Sequence, residues 1–222
     1  MARSLAAVRE VTEMRQVGRV RAYIGLGANV GDAASTLAEA VAALAALPGT
    51  RLRGVSRLYV TAPVGVTDQP DFHNAVVALD VAGGRDLTTG ALELLAALKD
   101  LEREFGRRQR GRWGPRELDL DILVFGRARV AIERPPEARS IDADTDPAKA
   151  SRLLEVPHVA ARARLFVLAP LSDLAPRLAP PGWGMTVETA RREAAAQEPP
   201  DAVLPVATWD GPAGAWRPLQ PR

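Results

Sequence analysis

The chain has 222 residues, 47% of them apolar and 25% charged, a balance that suits one globular domain with appendages, and no uninterrupted apolar run approaches membrane-spanning length. The formal net charge is only +2, with Lys99 and Lys149 the sole lysines, so the overall electrostatics give no argument for nucleic acid. Cysteine is absent, which excludes disulfides, thiolate metal sites and cysteine nucleophiles.

Residues 1–20 mix apolar side chains with Arg3, Arg9, Glu10, Glu13 and Arg15. They lack the apolar core of a signal peptide, so an N-terminal extension on a cytoplasmic protein is expected. A first strand follows over Arg21–Gly27, and its glycines open a turn through Ala28-Asn29-Val30-Gly31-Asp32. Leu37, Val41 and Leu44 then recur at helical spacing over about 33–47, and Pro48-Gly49 stops that helix. Glycines between a strand and a helix let backbone N–H groups approach an anion or a flat ligand. Glycines used only for packing look the same, and neither a phosphate-binding P-loop nor the full dinucleotide fingerprint is present.

A second strand is expected over Leu52–Val60. It runs into a loop from Thr61 to Asp71 whose Pro63 and Pro70 fix backbone angles around Gly65, a composition suited to a recognition lid. In the third strand, Phe72–Leu79, alternation puts Phe72, Asn74, Val76 and Ala78 on one face and His73, Ala75 and Val77 on the other. Phe72 beside Asn74 offers an aromatic platform next to an amide donor and acceptor, suitable for a planar heterocycle; a core phenylalanine beside a strand-end asparagine reads the same way. A second helix is expected over Asp86–Phe105, with Glu102 near its end.

The densest chemistry lies in Arg107-Arg108-Gln109-Arg110-Gly111-Arg112-Trp113-Gly114-Pro115-Arg116-Glu117-Leu118-Asp119-Leu120-Asp121-Ile122. Its second half alternates as a fourth strand reaching Phe125, so Asp119 and Asp121 share the face opposite Leu118, Leu120 and Ile122. Two carboxylates so spaced can converge on magnesium, which takes oxygen ligands and usually completes its shell with water and substrate phosphate. Arginine offers a planar fork of donors matched to phosphate oxygens, so the segment combines a cation site with an anion clamp. Two aspartates on the wet face of an edge strand after a solvated arginine loop would look similar. The Trp113-Gly114-Pro115 break favours placement of the charges over mere exposure.

Residues 128–132 suggest a short hairpin partner for that strand, and 133–151, rich in Pro, Asp, Glu and Ala, a surface insertion. His158 follows Pro157, then Arg162 and Arg164 precede Phe166, and Leu171–Pro176 reads as a short closing helix. Trp209 and Trp216 are expected to pack a C-terminal tail, 185–222, onto the body; the domain proper is taken as 21–184.

Taken in order, Gly25-Leu26-Gly27-Ala28-Asn29-Val30-Gly31-Asp32, Tyr59-Val60-Thr61-Ala62-Pro63, Asp68-Gln69-Pro70-Asp71-Phe72-His73-Asn74, the Arg112–Ile122 stretch and Val156-Pro157-His158 resemble the 6-hydroxymethyl-7,8-dihydropterin pyrophosphokinase family of folate biosynthesis, over roughly 21–181. The resemblance implies an α+β fold, a ferredoxin-like α/β sandwich with helices packed on one side of an antiparallel sheet. It implies transfer of the pyrophosphoryl group of ATP to the pterin hydroxymethyl group with release of AMP. Asp119 and Asp121 would hold two Mg2+ ions on the ATP phosphates, and Arg107 and Arg116 would contact the phosphate chain as catalytic groups. Arg112 and Trp113 on the catalytic loop, with Glu102, Ile122, His158 and Arg164, would fall on the nucleotide side. Phe72 and Phe166 would sandwich the pterin, Asn74 would bond its polar edge, and Gly27, Thr61, Ala62 and Val64 would line that pocket. A monomer with neither nucleic-acid nor membrane partners is expected.

Several positions depart from the family pattern. Ala28 replaces a serine, Gln109 an arginine and Lys99 a glutamine, while Val159 and Leu153 stand where an aromatic or proline and an arginine are usual. Gln109 and Lys99 favour the alternative of a non-catalytic pterin- or nucleotide-binding protein of the same fold. An RNA-binding module is a third possibility, but the aromatic pattern of RNA-binding sheets is missing.

Overall fold

The computed structural model describes residues 17–63, 68–106, 115–135 and 152–220. Strand β1, Arg19–Ala28, is the axis of the fold. It buries Ala22, Ile24, Leu26 and Ala28 on one face, and on the other Tyr23 is covered while glycines stand at 25 and 27. After it come α1 (Ala33–Ala46), β2 (Arg51–Val55), β3 (Leu58–Thr61), β4 (Phe72–Ala82), α2 (Leu87–Glu104) and β5 (Asp119–Phe125). The main sheet is seven-stranded and its recorded pairings are antiparallel, in the order β5-β1-β4-β3-β8-β9, with β2 also paired to β4. The outer pair is the hairpin of β8 (Val203–Asp210) and β9 (Ala215–Pro218).

Helix α1 starts where the Asp32 carboxylate accepts the Ser35 N–H at 3.0 Å, a side-chain cap for an otherwise orphaned donor. Its apolar stripe, Leu37, Ala40, Val41 and Leu44, is buried against the sheet. Complete burial of Leu37 and Leu44 contributes about 2 kcal/mol each. Asp86 caps α2 in the same way, accepting the Thr89 N–H at 2.8 Å. Here glycine is required by contact: a Cβ on Gly90 would lie 2.5 Å from the Gly83 carbonyl oxygen.

The expected α+β architecture is present, with α1 and α2 on one face of the antiparallel sheet. A second layer covers the opposite face: α3 (Leu165–Leu174) and α4 (Val187–Ala195) pack on Tyr23, Val76, Ala78, Leu123 and Val124. Helix α3 replaces the short closing helix expected after Pro170. Pro170 lies inside it, where it lacks the N–H that would reach back one turn to Phe166.

Three further expectations change. The single strand expected over 52–60 is split at Ser56-Arg57, so that β2 pairs with one half of β4 and β3 with the other. The segment read as a partner of β5 forms β6, Val130–Glu133, which instead pairs antiparallel with β7, Arg152–Val156, in a separate two-stranded sheet. The expected insertion falls between them, and 136–151 lie outside the described residues. The C-terminal segment is not merely laid on the body, because β8 adds to the edge of β3. Its tryptophans do pack inward: Trp209 and Trp216 meet edge to face at 4.7 Å, and the Trp216 indole N–H donates to the Ser56 carbonyl at 2.9 Å. Among the described residues no helix is long and apolar enough to cross a membrane.

Candidate active site

Residues directly opposite one another in antiparallel strands project to the same face. Asp119 of β5 stands opposite Gly27 of β1, Gly27 opposite Asn74 of β4, and Asn74 opposite Tyr59 of β3. One row across the sheet thus carries a carboxylate, a gap, an amide and a phenol, all on the face covered by α3. With neighbouring strands about 4.8 Å apart, the backbones of Asp119 and Asn74 are about 10 Å apart across the row. Gly27 is open between them: a Cβ there would lie 3.6 Å from Asn74 Oδ1 and 4.0 Å from the Asp119 Cβ. Asp121, on the same face of β5, stands opposite Gly25.

Both aspartates are half-exposed, while Leu118, Leu120 and Ile122 are buried on the far face. Burial of the Ile122 side chain in the core leaves only its backbone to meet a nucleotide. Arg116 Nη1 donates to Asp119 Oδ1 at 3.0 Å. Among the described residues no group of three or more His, Cys, Asp or Glu side chains could hold a metal by itself. Two carboxylates over a glycine floor nevertheless fit magnesium, which is commonly held by one or two carboxylates plus the oxygens of a bound polyphosphate.

On the other side of Gly27, the Asn74 amide donates to Thr61 Oγ1 at 2.9 Å, and Thr61 and Asn74 are both buried. Ala62 is exposed and Phe72 half-buried. Phe72 shares the face of Asn74 by alternation, and Phe166 lies in the first turn of α3, with the Arg164 guanidinium 5.6 Å from its ring centroid. The Tyr59 hydroxyl donates to Asp173 of α3 at 3.0 Å, and Arg57 clasps the same carboxylate, Nη2 to Oδ1 at 2.6 Å. Burial, together with Asp173, pushes the Tyr59 phenol far above its ordinary value, so it remains a donor. These contacts tie the C-terminal half of α3 to β3.

Glu102 does not open toward the row: it is 2% exposed, and its carboxylate accepts Lys99 Nζ at 2.8 Å and the Leu120 N–H at 2.8 Å. His158 is half-buried beside β5, donating its backbone N–H to the Leu123 carbonyl at 3.0 Å and accepting the Ala160 N–H on Nδ1 at 3.3 Å. Val64, Arg107, Arg112 and Trp113, together with Gln109, lie outside the described residues. A cavity of about 560 Å³ opens on the α1 side of the strand ends, lined in part by Glu39, Glu104 and Glu117.

Sequence reasoning missed Asn29 as a junction. It is 2% exposed and bonded to segments on both sides of the row. An asparagine after Gly-Leu-Gly-Ala reads as an ordinary turn residue, and the only local signal was its place between a buried strand and a capped helix. Arg57 and Asp173 were also missed, because 116 positions separate them.

A family model described as 7,8-dihydro-6-hydroxymethylpterin-pyrophosphokinase (HPPK) matches residues 23–176. The chain is similar to the 2-amino-4-hydroxy-6-hydroxymethyldihydropteridine pyrophosphokinase of Pseudomonas aeruginosa, 42% identical over 158 residues, covering 71% of this chain and 82% of that protein. The protein of the same name from Methylorubrum extorquens is 40% identical over 179 residues, covering 81% and 94%. Among solved structures, an HPPK-DHPS in complex with substrates superposes with TM-score 0.64 at 11% identity, covering 93% of this chain and 50% of that one. Plasmodium falciparum HPPK-DHPS with pterin and p-hydroxybenzoate gives 0.60 at 15%, covering 82% and 44%. At such identities the structural likeness shows the fold alone, and the chain spans about half the length of those solved chains.

Proposed function

The chain belongs to the 7,8-dihydro-6-hydroxymethylpterin-pyrophosphokinase family, and from that premise we infer that it transfers the pyrophosphoryl group of ATP to 6-hydroxymethyl-7,8-dihydropterin in folate biosynthesis. Release of AMP requires cleavage between the α- and β-phosphates. The pterin hydroxymethyl oxygen therefore attacks the β-phosphorus, its proton departs, and the bridging oxygen leaves with AMP.

The observation that carries this reading is the row Asp119–Gly27–Asn74, which sets a carboxylate site and an amide site side by side across a floor with no side chain. Asn74, Thr61, Phe72 and Phe166 would receive the pterin, with Ala62 and Val64 on its rim. Asp119 and Asp121 would hold magnesium, two ions in the full reading, and magnesium when bound neutralises charge on the phosphates. Arg116 is held by Asp119 within reach of the same charge, and Arg107, Arg112 and Trp113 would close on the nucleotide from the neighbouring segment. Glu102 serves the site through Leu120, while His158 and Arg164 would border the nucleotide. Catalysis needs no strong protein base here: positioning and charge stabilisation carry phosphoryl transfer.

The reading extends to a magnesium-dependent monomer working in the cytoplasm, with 21–184 as the catalytic unit. A net charge of +2 gives it little electrostatic attraction to nucleic acid. The test is product identity by phosphorus NMR. AMP and a pterin diphosphate are expected from ATP and the pterin; ADP and a pterin monophosphate would replace this reading with an ordinary kinase, and neither pair would leave a binding protein.

A further inference from the structure

Asn29 directly follows β1 as a buried amide whose bonds divide between two separate stretches of chain. Its Oδ1 accepts the Arg116 N–H at 2.7 Å, and its own N–H donates to the Arg116 carbonyl at 3.0 Å. Its Nδ2 donates in the other direction, to Gln69 Oε1 at 2.9 Å and to the Pro70 carbonyl at 3.0 Å. Arg116 continues to Asp119 through its guanidinium. Pro70 stands two residues before Phe72 and four before Asn74. Asparagine offers an acceptor and two donors on one short planar group. Aspartate keeps the acceptor and loses both donors.

We propose that Asn29 is a positioning residue that fixes the pterin-side segment, Gln69–Asn74, relative to the phosphate-side segment, Arg116–Asp121. It sets the reach of the pterin hydroxymethyl group to the transferring phosphorus without touching either substrate. The proposal rests on the pyrophosphokinase reading. Misplacing two reactants by about 1 Å costs on the order of 100-fold in rate. Each half-site keeps its own groups when Asn29 is altered: Thr61, Phe72 and Asn74 on one side, Arg116, Asp119 and Asp121 on the other. The loss therefore falls on kcat, not on the affinity for either substrate alone.

The experiment measures steady-state rates and separate equilibrium binding of the pterin and of a non-hydrolysable ATP analogue, for the wild type, Asn29→Asp, Gln69→Ala and the double variant. Thermal melts confirm that each variant is folded at the assay temperature. Asn29→Asp is expected to lower kcat about 100-fold with each separate affinity within about 3-fold of wild type. Gln69→Ala, which removes one of two acceptors, is expected to give a smaller loss, and the double variant to match Asn29→Asp, since both changes break one link. Unchanged kcat in Asn29→Asp overturns the proposal, as does a loss confined to the affinity for one substrate. If Asn29→Asp does not fold, Gln69→Ala decides alone: no fall in kcat overturns the proposal. Failure of the wild type to form AMP in response to the pterin counts against the functional reading and is distinguishable from all of these.

Discussion

Glu102 accepts the backbone N–H of Leu120 at 2.8 Å, so a buried carboxylate on α2 holds the residue between Asp119 and Asp121. Lys99 completes the arrangement, donating to both Glu102 oxygens at 2.8 and 2.9 Å and lying 3.4 Å from the Leu120 carbonyl oxygen. Lys99 is thus engaged in a tie between helix and strand. Glu102→Ala is predicted to lower stability by about 3 kcal/mol, because it strands a buried N–H and removes the partner of a lysine. Lys99→Met keeps the Leu120 N–H bond but leaves the buried Glu102 carboxylate without its lysine, and is predicted to cost less, about 2 kcal/mol. Urea unfolding midpoints check both, and equal losses would contradict the assignment of the strand tie to Glu102.

Gly27→Ala places a methyl group on the floor between Asn74 and Asp119. Its nearest contacts, 3.6 and 4.0 Å, are ordinary, so folding tolerates it. The prediction is a melting temperature within a few degrees of wild type and turnover reduced about 10-fold or more, since a near-attack geometry is sensitive to small displacements. Loss of the fold, or full activity, would refute the view that the floor must remain bare.

The Glu188 carboxyl is pulled down from 4.5 to about 2, chiefly by its bonds to Arg191, then by Ser172 and Arg192. Ser172 lies on α3, so this carboxylate links α3 to α4. A depressed folded-state value means stability that is fully present above pH 4.5 and lost as pH falls through about 2. Glu188→Gln should therefore be less stable than wild type at pH 7, with a gap that narrows between pH 4.5 and about 2. Urea titrations across that range test this, and a gap independent of pH would show that the charge is not its source.

Trp216→Ala removes the edge-to-face contact with Trp209 and the bond to the Ser56 carbonyl. Because Ser56 marks the break between β2 and β3, the hairpin braces the strand that carries Tyr59 and Thr61. A loss of about 2 kcal/mol is predicted for this half-buried tryptophan, below the range for full burial. Chemical denaturation measures it, and a loss under about 0.5 kcal/mol, the usual scale of surface changes, would mean that the hairpin is an ornament on β3.

The inner strands and the first two helices were legible because their local patterns are undisturbed: a continuous apolar run over Ala75–Leu79, buried on both faces, and helical spacing along Leu37, Val41 and Leu44. The aspartate pair was legible for the same reason. What local pattern could not reveal was set by distant partners. Ser56 splits the 52–60 stretch through its bonds to Val76: its backbone N–H donates to the Val76 carbonyl and its hydroxyl accepts the Val76 N–H. Pro205 disguised β8, although it stands opposite Tyr59, and Pro170 disguised α3. Glu102, expected at the nucleotide, is turned to Lys99 and Leu120, a choice fixed by how α2 packs on β5. Asn29 acquires its place only when segments 40 and 87 positions away reach it.

The most direct test of the account is the rate of AMP release from ATP as magnesium is titrated, with and without the pterin, in the wild type and in Asp119→Ala and Asp121→Ala. AMP release that needs both pterin and magnesium is predicted for the wild type. Both substitutions should suppress it, Asp121→Ala more severely because Asp121 lies deeper along β5, opposite Gly25. Release that is indifferent to the pterin, or that survives loss of either carboxylate, would contradict pyrophosphoryl transfer at the aspartate pair.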